Sequence, residues 1–203
     1  MAVAGRTKRQ VLLEFRTTEI LEAARTVFAQ HGFAAATIDN IALTAGVAKG
    51  TVYLYFPSKR DLFLACLREG VLALHAELAA ELRAASNCQA RLHAFIAVRF
   101  QYFSRNRDFF RIYYTEFSQL VAGNAQPEFQ DLYEQQAAVL ESVLADGVQS
   151  GLFRPCDVPG TARLVYDLTR AALAQHILHP AAETPEIPID SLYQFVLKGI
   201  GPS

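Results

Sequence analysis

TIDNIALTAGVAKGTVYLYFPSKRDL, residues 37–62, is the stretch on which the reading of this chain turns. Thr37 precedes a short apolar series, Ile38, Ile41, Ala42 and Ala45, spaced to face one side of a helix. Its hydroxyl can cap that helix, and Asp39 in the first turn suits the positive helix end. Gly46 supplies the freedom a tight turn needs, and Val47 after it is expected to be a buried anchor. A third helix is predicted over 48–55, with Val52 and Phe56 facing the core. Pro57 stops it, and Ser58 with Asp61 makes a capping box for the next helix. Helix, short glycine-containing turn and helix together form a helix-turn-helix.

With Val52 and Phe56 turned inward, Lys49, Gly50, Thr51, Tyr53 and Tyr55 remain on the outer face. In a helix-turn-helix the second helix enters a DNA major groove, and its N-terminal residues read base edges. Lys49 can donate to guanine acceptors, Tyr53 offers a hydroxyl and an apolar ring, and Gly50 permits close backbone approach. Thr37, Thr51, Tyr55 and Lys59 suit phosphate oxygens. Taken singly, each of these residues also fits an ordinary amphipathic surface helix; the 26-residue pattern taken whole does not.

On the N-terminal side, Ile20, Leu21, Ala24, Val27 and Phe28 predict an amphipathic helix over 17–30, with Gly32 at the C-terminal cap position. Residues 1–62 hold eight Lys or Arg against five acids, +3 net, while the remainder carries −4 of the overall −1. A basic N-terminal third on a near-neutral chain fits a sequence reader better than a nonspecific nucleic-acid coat. Arg6, Lys8 and Arg9 form either an arm touching DNA or a solvated start.

The run ILEAARTVFAQHGF, the TIDNIALTAGVAKGTVYLYF segment and SKRDLF opening the next helix resemble the TetR family of bacterial transcriptional repressors. The match covers roughly residues 14–74, about a third of the chain. This resemblance implies base readout from Lys49, Gly50, Thr51 and Tyr53, and phosphate contacts from Thr37, Tyr55 and Lys59. Many relatives carry His where this chain has Tyr55, so the Tyr55 hydroxyl is expected to take over the phosphate contact. The resemblance further implies a DNA-binding domain over 14–74, with its helix-turn-helix at 37–56, and an effector-binding and dimerisation domain over 75–203.

Composition sets limits on the rest of the chain. With 52% hydrophobic and 19% charged residues, 203 residues suffice for a small DNA-binding domain and a larger core. No apolar run is long enough to span a membrane, and the absence of an apolar leader points to the cytoplasm. Cys66, Cys88 and Cys156 are odd in number and lack a Cys-x-x-Cys, so they read as reduced.

Helical periods continue over 61–84, 90–104, 107–120, 128–149, 157–178 and 189–200, with a proline-rich connector at 180–188, so the fold class is all-α. Aromatic residues concentrate in the middle. They serve either as plain core or as a lining for an apolar or aromatic small-molecule effector, for which Phe103, Phe110, Tyr113, Tyr114 and Phe117 are the candidates. The wide apolar arc of 157–178 and the last helix suggest a homodimer contact through Leu164, Leu168, Ala171, Leu192 and Phe195.

His176 and His179 have helical ligand spacing but no completing set, so neither a metal nor a cofactor is expected. No nucleophile elbow or phosphate-binding glycine loop is present, which leaves a helical enzyme or scaffold as the weaker alternative. The expectation is an all-α regulator bound to double-stranded operator DNA.

Overall fold

Caps and apolar spacing set where each helix begins and ends. The computed structural model describes residues 8–121, 127–178 and 189–201, with side chains at all of these except 8–11, 116–121, 128, 129 and 132. Among the described residues there are nine helices and no strand, in two compact units, 1–70 and 71–203.

The first unit comprises α1 (Lys8–Ala35), α2 (Ile38–Thr44), α3 (Lys49–Tyr55) and the opening turns of α4 (Lys59–Ala84). Ile20, Ala24, Val27 and Phe28 from α1 are buried, as are Ile38 and Ile41 from α2, Val52 from α3, and Leu62, Phe63 and Cys66 from α4. Losing a side chain as enclosed as Ile41 costs about 2 to 5 kcal/mol, so these few contacts hold the small unit together. At Gly32, φ is +72° and α1 breaks. Phe33 then folds back onto Phe63, with ring centroids 4.9 Å apart.

The turn after α2 is a Schellman motif. Gly46 has φ +66°, its N–H donates to Leu43 O at 3.2 Å, and the Val47 N–H donates to Ala42 O at 3.0 Å. Val47 is half-buried rather than enclosed, because backbone hydrogen bonds close this turn. At the other end of α2, Thr37 Oγ1 accepts from Asn40 N–H at 3.2 Å. Ser58 Oγ accepts from Asp61 N–H at 3.1 Å and donates to the Asp61 carboxylate at 2.7 Å, which starts α4.

The second unit is built around α5 (Cys88–Arg105), which packs against α6 (Arg107–Val121), α7 (Pro127–Gln149), α8 (Val158–Leu178) and α9 (Ile189–Ile200). The start of α5 precedes the expected residue 90 because Asn87 caps it, accepting from Ala90 N–H at 2.9 Å. Proline opens α7, a position where its missing N–H is not needed. Past α7 the Phe153 ring lies so close to Gly147 that a Cβ there would come within 2.0 Å of it. Arg154 N–H then donates to Ile200 O at 2.8 Å and ties down the end of α9.

Helix α8 has two faces. Ala162, Val165, Tyr166, Thr169, Ala172 and Leu173 are buried, while Leu164, Leu168 and Ala171 are exposed at intervals of four and three.

Candidate nucleic-acid interface

Helix α3 is held from below by Val52 and Phe56, and its N-terminal residue Ala48 makes no side-chain cap. Its first turn is closed instead by the backbone, with Thr51 N–H donating to Ala48 O at 2.8 Å directly after the Schellman turn. Lys49, Gly50 and Tyr53 are exposed, Thr51 and Tyr55 half-buried, and Thr37 is exposed at the start of α2. All the expected contact positions on α3 thus have at least part of their surface on the outside of the first unit.

Two of the expected residues carry partners that the sequence did not reveal. Lys49 Nζ pairs with Asp39 Oδ2 at 2.8 Å, and that hydrogen bond raises the lysine pKa. Such an exposed pair is worth little in water, so Lys49 can trade the carboxylate for a base or phosphate at small cost.

Lys59 is engaged quite differently. Its ammonium donates to the carbonyls of Phe33, Ala34 and Ala36 at 2.7, 3.2 and 3.0 Å and sits 4.6 Å from the Phe33 ring centroid. All three of its protons are thereby directed at the end of α1 rather than outward.

Sequence reasoning also passed over Leu54, which is 84% exposed on α3, and Leu43, 82% exposed on α2. Apolar side chains displayed on a helix-turn-helix can meet sugar carbons and thymine methyls. Lack of an inward period at 43 and 54 was the available signal.

In the second unit, Phe103, Phe110 and Tyr113 are fully buried and pack on one another. Ring centroids lie 5.1 Å apart for Phe103–Phe110 and 5.5 Å for Phe103–Tyr113. Half-buried Tyr114 stacks on Phe110 at 5.7 Å, and the side chain of Phe117 lies outside the described residues. The hydroxyls of Tyr113 and Tyr166 bond each other, and burial first, then the neighbouring phenol, pushes Tyr113 well above its ordinary pKa.

Beside this pair lies Arg99, fully buried and absent from the sequence-based candidates. Its Nη1 donates to Gln136 Oε1 over a long 3.4 Å, and Gln136 Nε2 bonds His75 Nε2. Arg99 can only donate, which fixes the Gln136 oxygen toward it and turns the amide nitrogen to His75. His75 must then accept, as neutral imidazole. Burial, and after it the Arg99 charge, lowers its pKa in agreement.

Of the residues expected at a dimer contact, Leu164 is 72% and Phe195 69% exposed, with Leu168 and Ala171 also exposed. Leu192 is a correction: it is buried within the second unit, because α9 turns Leu192, Val196 and Ile200 inward at helical spacing. His176 is half-buried, 6.1 Å from the Phe100 ring centroid, and His179 lies outside the described residues. Among the described residues no three His, Cys, Asp or Glu side chains are grouped to hold a metal ion, and no helix is long and apolar enough to cross a membrane.

A capped two-helix reading head followed by an all-helical body defines a DNA-binding transcriptional regulator. Residues 20–66 match the family model for bacterial regulatory proteins of the tetR family, and residues 85–173 match the tetracyclin repressor-like C-terminal domain. The chain is 31% identical over 158 residues to the HTH-type transcriptional repressor KstR2 of Mycobacterium tuberculosis, covering 76% of this chain and 78% of that one. The solved structure of that organism's ketosteroid transcriptional regulator KstR2 superposes with a TM-score of 0.71 at 28% identity, covering 100% of each chain. The regulator FadR from Bacillus subtilis, solved with stearoyl-CoA, shares the fold with a TM-score of 0.78 at 19% identity, covering 90% of this chain and 98% of that one. The protein belongs to the TetR family.

Proposed function

We infer that this regulator is a repressor that binds a palindromic operator as a homodimer and leaves it when a small apolar molecule enters the second unit. Helix α3 carries this reading: Lys49, Gly50, Thr51 and Tyr53 project from a helix seated by Val52 and Phe56 and oriented by the backbone bonds of the turn before it. Lys49 and Tyr53 read bases, with Gly50 and Thr51 beside them, while Thr37 and Tyr55 take phosphates. Lys59 holds the frame on which they stand.

One recognition helix reads too few bases for an operator, and two must sit about 34 to 36 Å apart to enter successive major grooves. The exposed apolar series Leu164, Leu168, Ala171 on α8, with Phe195 on α9, supports the dimer contact. Repression, rather than activation, is supported by the KstR2 relative, whose name is that of a repressor. Release follows from coupling through α4, which contributes residues to both units. By reciprocity an effector that lowers operator affinity is itself bound more weakly in the presence of operator.

The test is selection of bound sites from random DNA with the full chain, followed by titration of Tyr53→Ala. An enriched palindrome is expected, and the variant should lose about 1 to 3 kcal/mol on it and relax its base preference. Failure to enrich any site over bulk DNA would remove the regulator reading. Unchanged preference in Tyr53→Ala would remove the assigned reading face.

A further inference from the structure

Arg99 is a guanidinium with no exposed surface, and among the described residues no carboxylate pairs with it. Its Nη1 is used by Gln136 and the Tyr113 hydroxyl lies close to the guanidinium, but among the described residues neither Nε nor Nη2 makes a hydrogen bond of good geometry. Those two atoms are not an arbitrary pair. They lie along one edge of the planar group, and their N–H bonds run parallel, at the spacing of the two oxygens of a carboxylate. The Cζ atom is 4.4 Å from the Tyr166 ring centroid, 5.5 Å from that of Phe95 and 5.6 Å from that of Phe103. A donor fork left open among aromatic rings is an expensive arrangement for a core to keep; it suits an oxyanion, and the apolar surroundings favour a singly charged carboxylate over a phosphate.

We propose that Arg99 is the headgroup site for the effector, and that the effector is an apolar carboxylic acid whose carboxylate takes the Nε–Nη2 edge while its hydrocarbon lies against the surrounding rings. This rests on the release mechanism inferred above and gives it a chemical class. The same residue supplies the path to α4. Arg99 holds the Gln136 oxygen, Gln136 holds His75, and His75 belongs to α4. A carboxylate that draws the guanidinium toward itself lengthens an already long 3.4 Å bond to Gln136. The amide and the imidazole then re-pair, and the α4 helix loses a contact that fixes its position in the second unit. A neutral ester of the same shape accepts at most one bond, at its carbonyl, and brings no charge to draw the guanidinium away, so the chain of bonds stays intact.

The probes are 2-naphthoate and decanoate, each beside its methyl ester, titrated calorimetrically into the full-length protein and separately into its complex with the selected operator. Both acids are expected to bind at least ten-fold more tightly than their esters. Arg99→Met should abolish that preference and, because it also removes the bond to Gln136, should lower operator affinity and leave what remains insensitive to either acid. Arg99→Lys, which keeps the charge and loses the fork, should keep less than a tenth of the acid affinity. The acid-to-ester ratio of the wild type decides the matter even if a variant fails to fold.

Equal binding of acid and ester, no binding of either acid at millimolar concentration, or full acid affinity in Arg99→Met would overturn the proposal. An ester that releases operator from wild type and Arg99→Met alike would sink the Arg99 site and leave ligand release standing. An acid that needs Arg99 to bind, yet leaves operator affinity unchanged, would keep the site and sink ligand release.

Discussion

Replacing Lys59 by Met separates two roles that a lysine at the start of α4 can play. The aliphatic stem is retained, and the group removed is an ammonium that donates to three carbonyls between 2.7 and 3.2 Å at the end of α1. Hydrogen bonds from a charged donor contribute about 1.5 to 3 kcal/mol each when isolated. Here the carbonyls are partly open to water and the three share one donor, so the sum is far from additive, and a total loss of about 2 kcal/mol is expected. With a urea dependence of about 1 to 3 kcal/mol per molar, the unfolding midpoint of the first unit should fall by roughly 1 M.

DNA binding supplies the second half of the test. A lysine that neutralises a phosphate contributes about 0.9 to the slope of log affinity against log salt. Lys59→Met should therefore weaken operator binding modestly while leaving that slope unchanged between about 50 and 200 mM salt. Circular dichroism in urea and fluorescence anisotropy with the selected operator read the two quantities on the same protein. A slope lowered by nearly one, with the urea midpoint unmoved, would refute the framing role and return Lys59 to the phosphates.

Leu168→Asp and Phe195→Asp should each yield a folded monomer by sedimentation that binds single operator half-sites and loses the full palindrome; a stable dimer in both would discard the α8–α9 contact. Because the His75 pKa is lowered, folding favours the neutral ring, so the stability contributed is complete above the unfolded value of 6.5 and declines as pH falls from there toward the depressed folded value. His75→Gln should flatten that acid-side decline in thermal melts, and an unaltered profile would mean that other groups produce it. Burial pushes the Cys66 thiol up to about 12, so a thiol reagent at mildly alkaline pH should label Cys88 and Cys156 in the native protein and Cys66 only after denaturant is added. Labelling of Cys66 at the same rate as the other two would show that the first unit opens far more readily than its buried core implies.

How far the sequence could be read depended on whether a feature was local. Caps at Thr37 and Ser58, the glycine at 46 and the buried period of α4 each depend on residues a few positions apart, and each stands where the pattern put it. The engagement of Lys59 was hidden because its carbonyl partners lie 23 to 26 residues away, and nothing in a local pattern distinguishes a lysine facing DNA from one facing a helix end. Leu192 falls on the inner face of α9, a helix apolar on most sides, so periodicity alone cannot choose between Leu192 and Phe195. Arg99 carried no mark at all. A single arginine in an aromatic helix ordinarily extends its head to water, and only the packing of α5 against its neighbours shows that this one does not.

The turn between α2 and α3 closes with main-chain hydrogen bonds, and α3 needs only Val52 and Phe56 to stay seated. Its outward residues therefore carry almost none of the folding energy. Lys49, Thr51, Tyr53 and Leu54 can drift under selection for a new operator without first finding a compensating change in the core. Binding preference and foldability occupy separate letters of the same seven-residue helix. A lineage carrying this domain could change the genes it governs by substitutions on one face of α3, with the rest of the protein left as it is.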